Sequence, residues 1–213
     1  MDLKPGERIA DIGAGSGYFT FRFARHVGNT GQVYAVDISP DMILHLNRRI
    51  RDLGLGNVRT VLADPDDPLL GDRSVDRVFI CETWHHIDKH AQYLTLLEKM
   101  LRPGGQVIIV DFQKKETPVG PPMEMRASRG EVVRELEQSG FRLVKEHTFL
   151  PYQYYLVFSP GAGPSPSDAG QVPRSFRPSP RSSRFSGTDR LGHTSRSMTG
   201  PCGPVGWRQK CPS

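Results

Sequence analysis

The chain has 213 residues, of which 37% are hydrophobic, and a formal net charge of +5. That length suits one domain with a tail; MDLKPGERIADIG has no apolar signal core, and no apolar run approaches the roughly 18 residues of a membrane span. The charge does not mark a nucleic-acid-binding core, because seven Arg, one Lys and two Asp in residues 160–213 carry +6 and leave −1 on residues 1–159.

Apolar patterning predicts alternating strands and helices in chain order. Glu7–Ile12 reads as a strand and Tyr18–Val27 as a helix with Phe19, Phe23 and Val27 on one face. Gln32–Asp37 reads as a strand, followed by a helix over Asp41–Leu53 that Ser39 caps, with Pro40 in its first turn. Val58–Ala63 and Val75–Cys81 are strands, and DPDDPLLGDRS between them reads as a loop. Ala91–Leu101 is a helix that stops at Pro103-Gly104-Gly105, with RPGG as a turn before the strand Gln106–Phe112. Arg129–Ser139 is a helix ended by Gly140; Phe141–Phe149 and Tyr152–Phe158 are strands joined too tightly for a crossover helix, so they should pair antiparallel.

Continuous apolar strands such as VIIV at 107–110 suit a parallel sheet covered on both faces. The expected fold is α/β, a Rossmann-like doubly wound sheet, mostly parallel and seven-stranded, with an antiparallel strand near one edge. Residues 1–159 form that domain. Residues 160–213 hold nine of the 18 prolines and almost no apolar periodicity, which predicts a disordered basic tail. An arm for anionic partners and a segment added by altered splicing or reading frame are both open readings of it. Cys81, Cys202 and Cys211 form no metal cluster and no disulfide framework, which fits a reduced, cytoplasmic setting.

The segment Asp11-Ile12-Gly13-Ala14-Gly15-Ser16-Gly17 leaves the first strand and enters the first helix. Glycines let the backbone turn sharply beside a ligand, and the helix N-terminus favours negative charge. A dinucleotide fingerprint requires glycine or alanine at position 18, where Tyr18 stands. Asp11 beside the loop disfavours a pyrophosphate and suits an ammonium. Asp37 ends the second strand, where a carboxylate can take two ribose hydroxyls, and Asp64 ends the third, within reach of an adenine amino group. S-adenosylmethionine has the ammonium, ribose and adenine and lacks phosphate.

DIGAGSG, VYAVDIS, VLAD and LRPGGQVIIVD, in this order, resemble the motifs of class I S-adenosylmethionine-dependent methyltransferases over residues 3–158. WHHI and EMR resemble the small-molecule, ubiquinone/menaquinone-biosynthesis-like group. The resemblance implies that Asp11 orders the loop and the methionine amino group, and that Gly13, Gly15 and Gly17 form the turn beneath the methionine part. It further implies Asp37 on the ribose, Ile38 and Met42 along the adenine, Ala63 and Asp64 at the adenine edge, and Glu82 near the methionine end. The chain begins almost at the first strand, where family members commonly carry helices that cover the cofactor. An open site, a shortened form, and a second copy or partner chain that closes the site are the expectations that follow.

The sulfonium already carries an activated methyl, so alignment of the acceptor supplies much of the rate. A base helps only when the acceptor loses a proton. His85 and His86 follow the fourth strand and are the candidates for that base; local packing is the alternative for each, and they make a poor metal site. Trp84 reads equally as an acceptor wall or as core. Asp111 could orient an acceptor or cap a loop. Tyr152, Tyr154 and Tyr155 should alternate between core and surface, and Cys81 should be buried. A lone cysteine in the folded part argues against thiol-based arsenic methylation. The sequence thus points to methyl transfer from S-adenosylmethionine to a small molecule. Its rivals are a non-catalytic or truncated cofactor-binding module, an NAD-dependent oxidoreductase and a nucleic-acid methyltransferase.

Overall fold

The computed structural model describes residues 1–161; residues 162–213, nearly all of the expected tail, lie outside them. Seven strands form one sheet in the order β3-β2-β1-β4-β5-β7-β6. They are β1 (Arg8–Ile12), β2 (Gln32–Asp37), β3 (Val58–Leu62), β4 (Val75–Cys81), β5 (Leu101–Phe112), β6 (Phe141–His147) and β7 (Gln153–Pro160). The first five run parallel, and β7 pairs antiparallel with both β5 and β6. The tight β6–β7 connection thus places the reversed strand one position in from the edge. β7 reaches Pro160, one residue past the boundary expected at 159.

Four helices cover the sheet: α1 (Thr20–Val27), α2 (Pro40–Asp52), α3 (His90–Met100) and α4 (Arg129–Gln138). Phe21, Phe23, Ala24 and Val27 of α1 and Leu46 of α2 pack on one face, against Ile9, Val33, Phe79 and Ile108. Leu94, Leu97, Val132 and Leu136 of α3 and α4 pack on the other, against Ala10, Ile12, Ile80 and Ile109. Each such aliphatic side chain, fully buried, contributes about 1.5–3 kcal/mol relative to exposure. Two-sided cover explains why β5 shows no polar alternation.

Local chemistry sets the helix starts. Ser39 caps α2 by accepting from the Met42 N–H at 3.4 Å, with Pro40 in the first turn. A reciprocal capping box opens α4: Ser128 Oγ accepts from Glu131 N–H and a Glu131 carboxylate oxygen accepts from Ser128 N–H. Such caps contribute about 1 kcal/mol each. α1 has no side-chain cap and begins at Thr20, two residues later than the apolar pattern predicts. The β3–β4 connection is the loop that the prolines imply, closed by a short bridge between Asp64 and Asp67.

β5 differs from expectation. It begins at Leu101, because Val75 pairs with Leu101 and Arg77 with Gln106. Arg102–Gly105 therefore bulge out within a continuous strand, and Gly104, at φ +79°, permits the bulge. β7 also differs. Tyr154 and Tyr155 are both buried, on opposite faces, since both faces of this strand are covered; Tyr152 is half-buried.

Candidate functional site

The parallel strands β1 to β5 all end at one edge of the sheet. The chain order reverses on either side of β1, which pairs with β2 and β4, and a crevice opens at such a switch point. Gly13–Gly17, Ile38, Ala63–Asp64, Glu82–His86 and Gln113 all follow strand ends at this edge.

The Gly13 and Ala14 N–H groups donate to the Val36 carbonyl at 2.9 and 3.0 Å, which hangs the glycine loop on the end of β2. The three glycines serve different ends. A Cβ on Gly13 would meet Thr83, with Cγ2 at 2.6 Å. One on Gly17 would meet Phe21 at 2.6 Å and Leu46 at 2.7 Å. Gly15, at φ +51°, has its nearest such neighbour at 4.0 Å. Packing demands the first and third glycines, and only Gly15 faces open space.

Asp11 is 3% exposed and accepts a 2.5 Å hydrogen bond from Thr20 Oγ1. This bond fastens the end of β1 to the first turn of α1, where a side-chain cap is lacking. Burial pushes the Asp11 carboxyl up to about 7 against the opposing Thr20 hydrogen bonds, and Asp37 adds to the rise. Asp37 is half-buried: Oδ2 accepts from Gly15 N–H at 2.8 Å and Oδ1 from Ser39 N–H at 2.9 Å. The carboxylate expected at the ribose therefore also holds the one open glycine.

Ile38 is 60% exposed, whereas Met42 is half-buried on the first turn of α2. Ala63 is 8% exposed, and Asp64 is exposed with its backbone paired to Asp67. Glu82 is exposed and adopts φ +51°, a strained value for a residue with a Cβ. Its N–H donates to the Val110 carbonyl at 2.8 Å, and Gln153 Nε2 donates to its Oε1 at 3.4 Å.

A 3-10 turn at Trp84–His86 follows. Trp84 is wholly buried and stacks on His90 at 4.2 Å, with its Nε1–H donated to Glu135 of α4 at 3.3 Å. It is core, not an acceptor wall. His85 Nδ1 lies 2.8 Å from Asp111 Oδ2, with side chains only 4% and 1% exposed. His86 is exposed and lies 4.1 Å from the His85 ring; burial and His85 hold its pKa below the usual imidazole range. Cys81 is half-buried, with its thiol pushed up to about 12 by burial and by the Glu82, Asp11 and Asp111 carboxylates. A thiol in that state is a poor nucleophile.

Spacing along the chain indicates the carboxylates of the crevice but misses three partners. Thr20 for Asp11, Thr83 for Gly13 and Asp111 for His85 meet only through the fold. Asp111 carried one usable signal, as a charged residue closing an apolar strand at the ligand edge. Among the described residues no group of three His, Cys, Asp or Glu is placed to hold a metal ion, and no helix is long and apolar enough to cross a membrane.

Residues 9–105 match the profile of a methyltransferase domain family. The ubiquinone/menaquinone biosynthesis C-methyltransferase UbiE of Teredinibacter turnerae is 32% identical over 115 residues, 54% of this chain and 46% of that protein. The chain thus spans about half the length of the curated relatives it matches. A S-adenosylmethionine-dependent methyltransferase from Aquifex aeolicus superposes with a TM-score of 0.71 at 29% identity, covering 73% of this chain and 83% of that one. The [4+2]-cyclase SpnF shares the fold at a TM-score of 0.60 and 21% identity, over 68% of this chain and 54% of its own. Together with the ordered strand-end motifs, these likenesses show a chain similar in fold to S-adenosylmethionine-dependent methyltransferases, with a methyltransferase-domain match over residues 9–105.

Proposed function

We propose that this chain binds S-adenosylmethionine across its glycine loop and transfers the methyl group to a small-molecule acceptor. The observation that carries this reading is the bond from Gly15 N–H to Asp37 beside the buried Asp11. It ties one open glycine to a carboxylate that lies within electrostatic reach of Asp11, a setting hostile to a pyrophosphate and favourable to an ammonium and a ribose diol. Fold alone does not select methyl transfer, since a cyclase shares it.

In this reading the ligand's ammonium faces the end of β1 and relieves the desolvation of Asp11. Asp37 keeps both backbone donors and offers its remaining lone pairs to the ribose hydroxyls. Ile38 and Met42 flank the adenine, Ala63 and Asp64 meet its edge, and Glu82 stands at the methionine end. Gly13 and Gly17 act indirectly, by letting Thr83 and α1 pack under the loop. The sulfonium supplies the activated methyl, and the chain aligns an acceptor in line with the breaking carbon–sulfur bond. The relatives' names support a small-molecule acceptor.

Calorimetric titration of the full chain with S-adenosylhomocysteine and, separately, with NADH tests the proposal. Binding of the first and not the second is expected. Absence of S-adenosylhomocysteine binding at millimolar concentration, or preference for NADH, overturns it.

A further inference from the structure

The two adjacent histidines after β4 are equivalent in sequence and unlike in structure. The pairing of Cys81 with Val110 sets Glu82 and Asp111 level at the sheet edge, and the 3-10 turn then carries the His85 ring onto the Asp111 carboxylate. Asp111 cannot swing away: its Oδ1 accepts from the Phe112 N–H at 2.8 Å while Oδ2 faces His85. A carboxylate only accepts, so Nδ1 is the donor and, in the neutral ring, the lone pair lies on Nε2. Nε2 has no hydrogen-bond partner among the described residues, and it is not one of the sealed, unpartnered atoms of the interior. The ring thus has one nitrogen fixed on Asp111 and the other without a partner among the described residues, on a side chain that is 4% exposed. Among the described residues His86 has no carboxylate hydrogen-bond partner, and it is exposed.

A purely structural role accounts poorly for this pair. Trp84 already anchors the turn through its stack on His90 and its bond to Glu135. Burying a second polar pair there is costly to desolvate and adds little hold.

We propose that His85, positioned by Asp111, takes the proton of the methyl acceptor, so that the site serves acceptors whose attacking atom arrives protonated: a hydroxyl or an ammonium nitrogen, not a thiolate or carboxylate. The inference rests on the cofactor reading above. In the step, the acceptor's O–H or N–H proton passes to Nε2. The electron pair it leaves attacks the methyl carbon, and the carbon–sulfur pair returns to sulfur, giving a neutral thioether. The resulting imidazolium faces Asp111. His86 on the turn lies against this ring, while Cys81 on β4 and Tyr154 on β7, whose phenol burial holds above its usual range, lie within electrostatic reach of Asp111, and Glu82 within reach of Cys81.

Two measurements test it. Long-range proton–nitrogen spectra of the full chain labelled with nitrogen-15 histidine should show His85 with Nδ1 protonated and Nε2 bare at pH 7.5, and Asp111→Asn should abolish that preference. A protonated Nε2 in the wild type overturns the proposal whether or not any cofactor binds. The second uses methyl-tritiated S-adenosylmethionine with four probes: catechol, tyramine, thiophenol and benzoate. Label should enter one of the first two. Label only in the last two, or in none while S-adenosylhomocysteine still binds, overturns the proposal. Failure of S-adenosylhomocysteine to bind at all overturns the cofactor reading instead, and the spectra then judge His85 alone. With a labelled probe, His85→Asn should lower kcat by about 100-fold or more, remove the acid limb of the pH–rate profile and leave S-adenosylhomocysteine affinity within about threefold. Asp111→Asn should flatten the same limb. A normal acid limb in both variants overturns the pair's role.

Discussion

Thr83 fills the space that a side chain on Gly13 would need, its Cγ2 lying 2.6 Å from where that Cβ would be. The loop after β4 is thereby packed onto the glycine loop after β1. Gly13→Ala is strained twice, by this contact and by φ +73°. It should lower unfolding free energy by about 2–4 kcal/mol. Gly15→Ala, at φ +51° with open space above it, should lower it by only about 1 kcal/mol. Urea denaturation compares the two, and equal losses would contradict the packing role of Gly13.

Asp11 makes stability depend on pH in an unusual direction. Its folded carboxyl is pushed up to about 7, well above an ordinary aspartate near 3.9. The folded state therefore holds this proton more tightly than the unfolded chain. Its contribution is fully present below about pH 4, is lost as pH rises to about 7, and totals on the order of 4 kcal/mol. Asp11→Asn keeps an acceptor for Thr20 and has no charge to desolvate. It should match the wild type below about pH 4 and melt several degrees higher at pH 8. Thermal melts across this range check the sign; a variant less stable than the wild type at pH 8 would reverse it.

Ligand binding should run the other way. An ammonium at Asp11 favours the ionised carboxylate, so S-adenosylhomocysteine affinity should climb as pH rises through about 7. Asp11→Asn should bind weakly with a flat profile. Calorimetry at pH 5.5 to 8 reads both slopes.

Asp37 holds the Gly15 and Ser39 N–H groups at 2.8 and 2.9 Å. Asp37→Ala should weaken S-adenosylhomocysteine binding by about 100-fold, through lost charged hydrogen bonds and a loosened loop. Asp41→Ala, an exposed first-turn carboxylate of α2, should leave affinity unchanged. Equal effects in the two variants would remove Asp37 from the site.

Arg126 is 6% exposed and makes no ion pair among the described residues. It donates instead to the backbone carbonyls of Pro121, Gln113 and Lys115 at 2.8, 3.1 and 2.7 Å, and its guanidinium lies 5.1 Å from the centre of the Phe112 ring. One side chain thus gathers the whole segment between β5 and α4. Arg126→Ala should leave the Pro121 and Lys115 carbonyls unsatisfied, while the Gln113 carbonyl keeps its bond from the Lys115 N–H, and should open this segment to trypsin at Lys114 and Lys115. Faster cleavage there, with a loss of about 2–4 kcal/mol, is expected; unchanged proteolysis would show that the segment holds itself.

The alternation of strand and helix, the two-sided sheet and the carboxylates at strand ends were legible in the sequence, because each follows from local periodicity or from a residue's place at a turn. The Ser39 cap and the helix-free β3–β4 loop were readable for the same reason: the proline and cap signals act within a few residues. The bulge at Arg102–Gly105 was not, since only pairing with β4 shows that the strand resumes in register. Neither was the burial of both Tyr154 and Tyr155, which depends on what covers each face.

At the site the division is sharper. Sequence by itself determined that residues 11–17 form a glycine-rich turn after β1 and that Asp37 and Asp64 stand at the ends of the next two strands, since each follows from local pattern. The tertiary structure alone decided which glycine stays open, because Thr83, Phe21 and Leu46 arrive from elsewhere in the chain. It also decided which histidine has a partner. His85 and Asp111 stand 26 residues apart and meet at 2.8 Å only because β4 and β5 run side by side. Contacts between distant segments depend on register and twist, which no local pattern encodes.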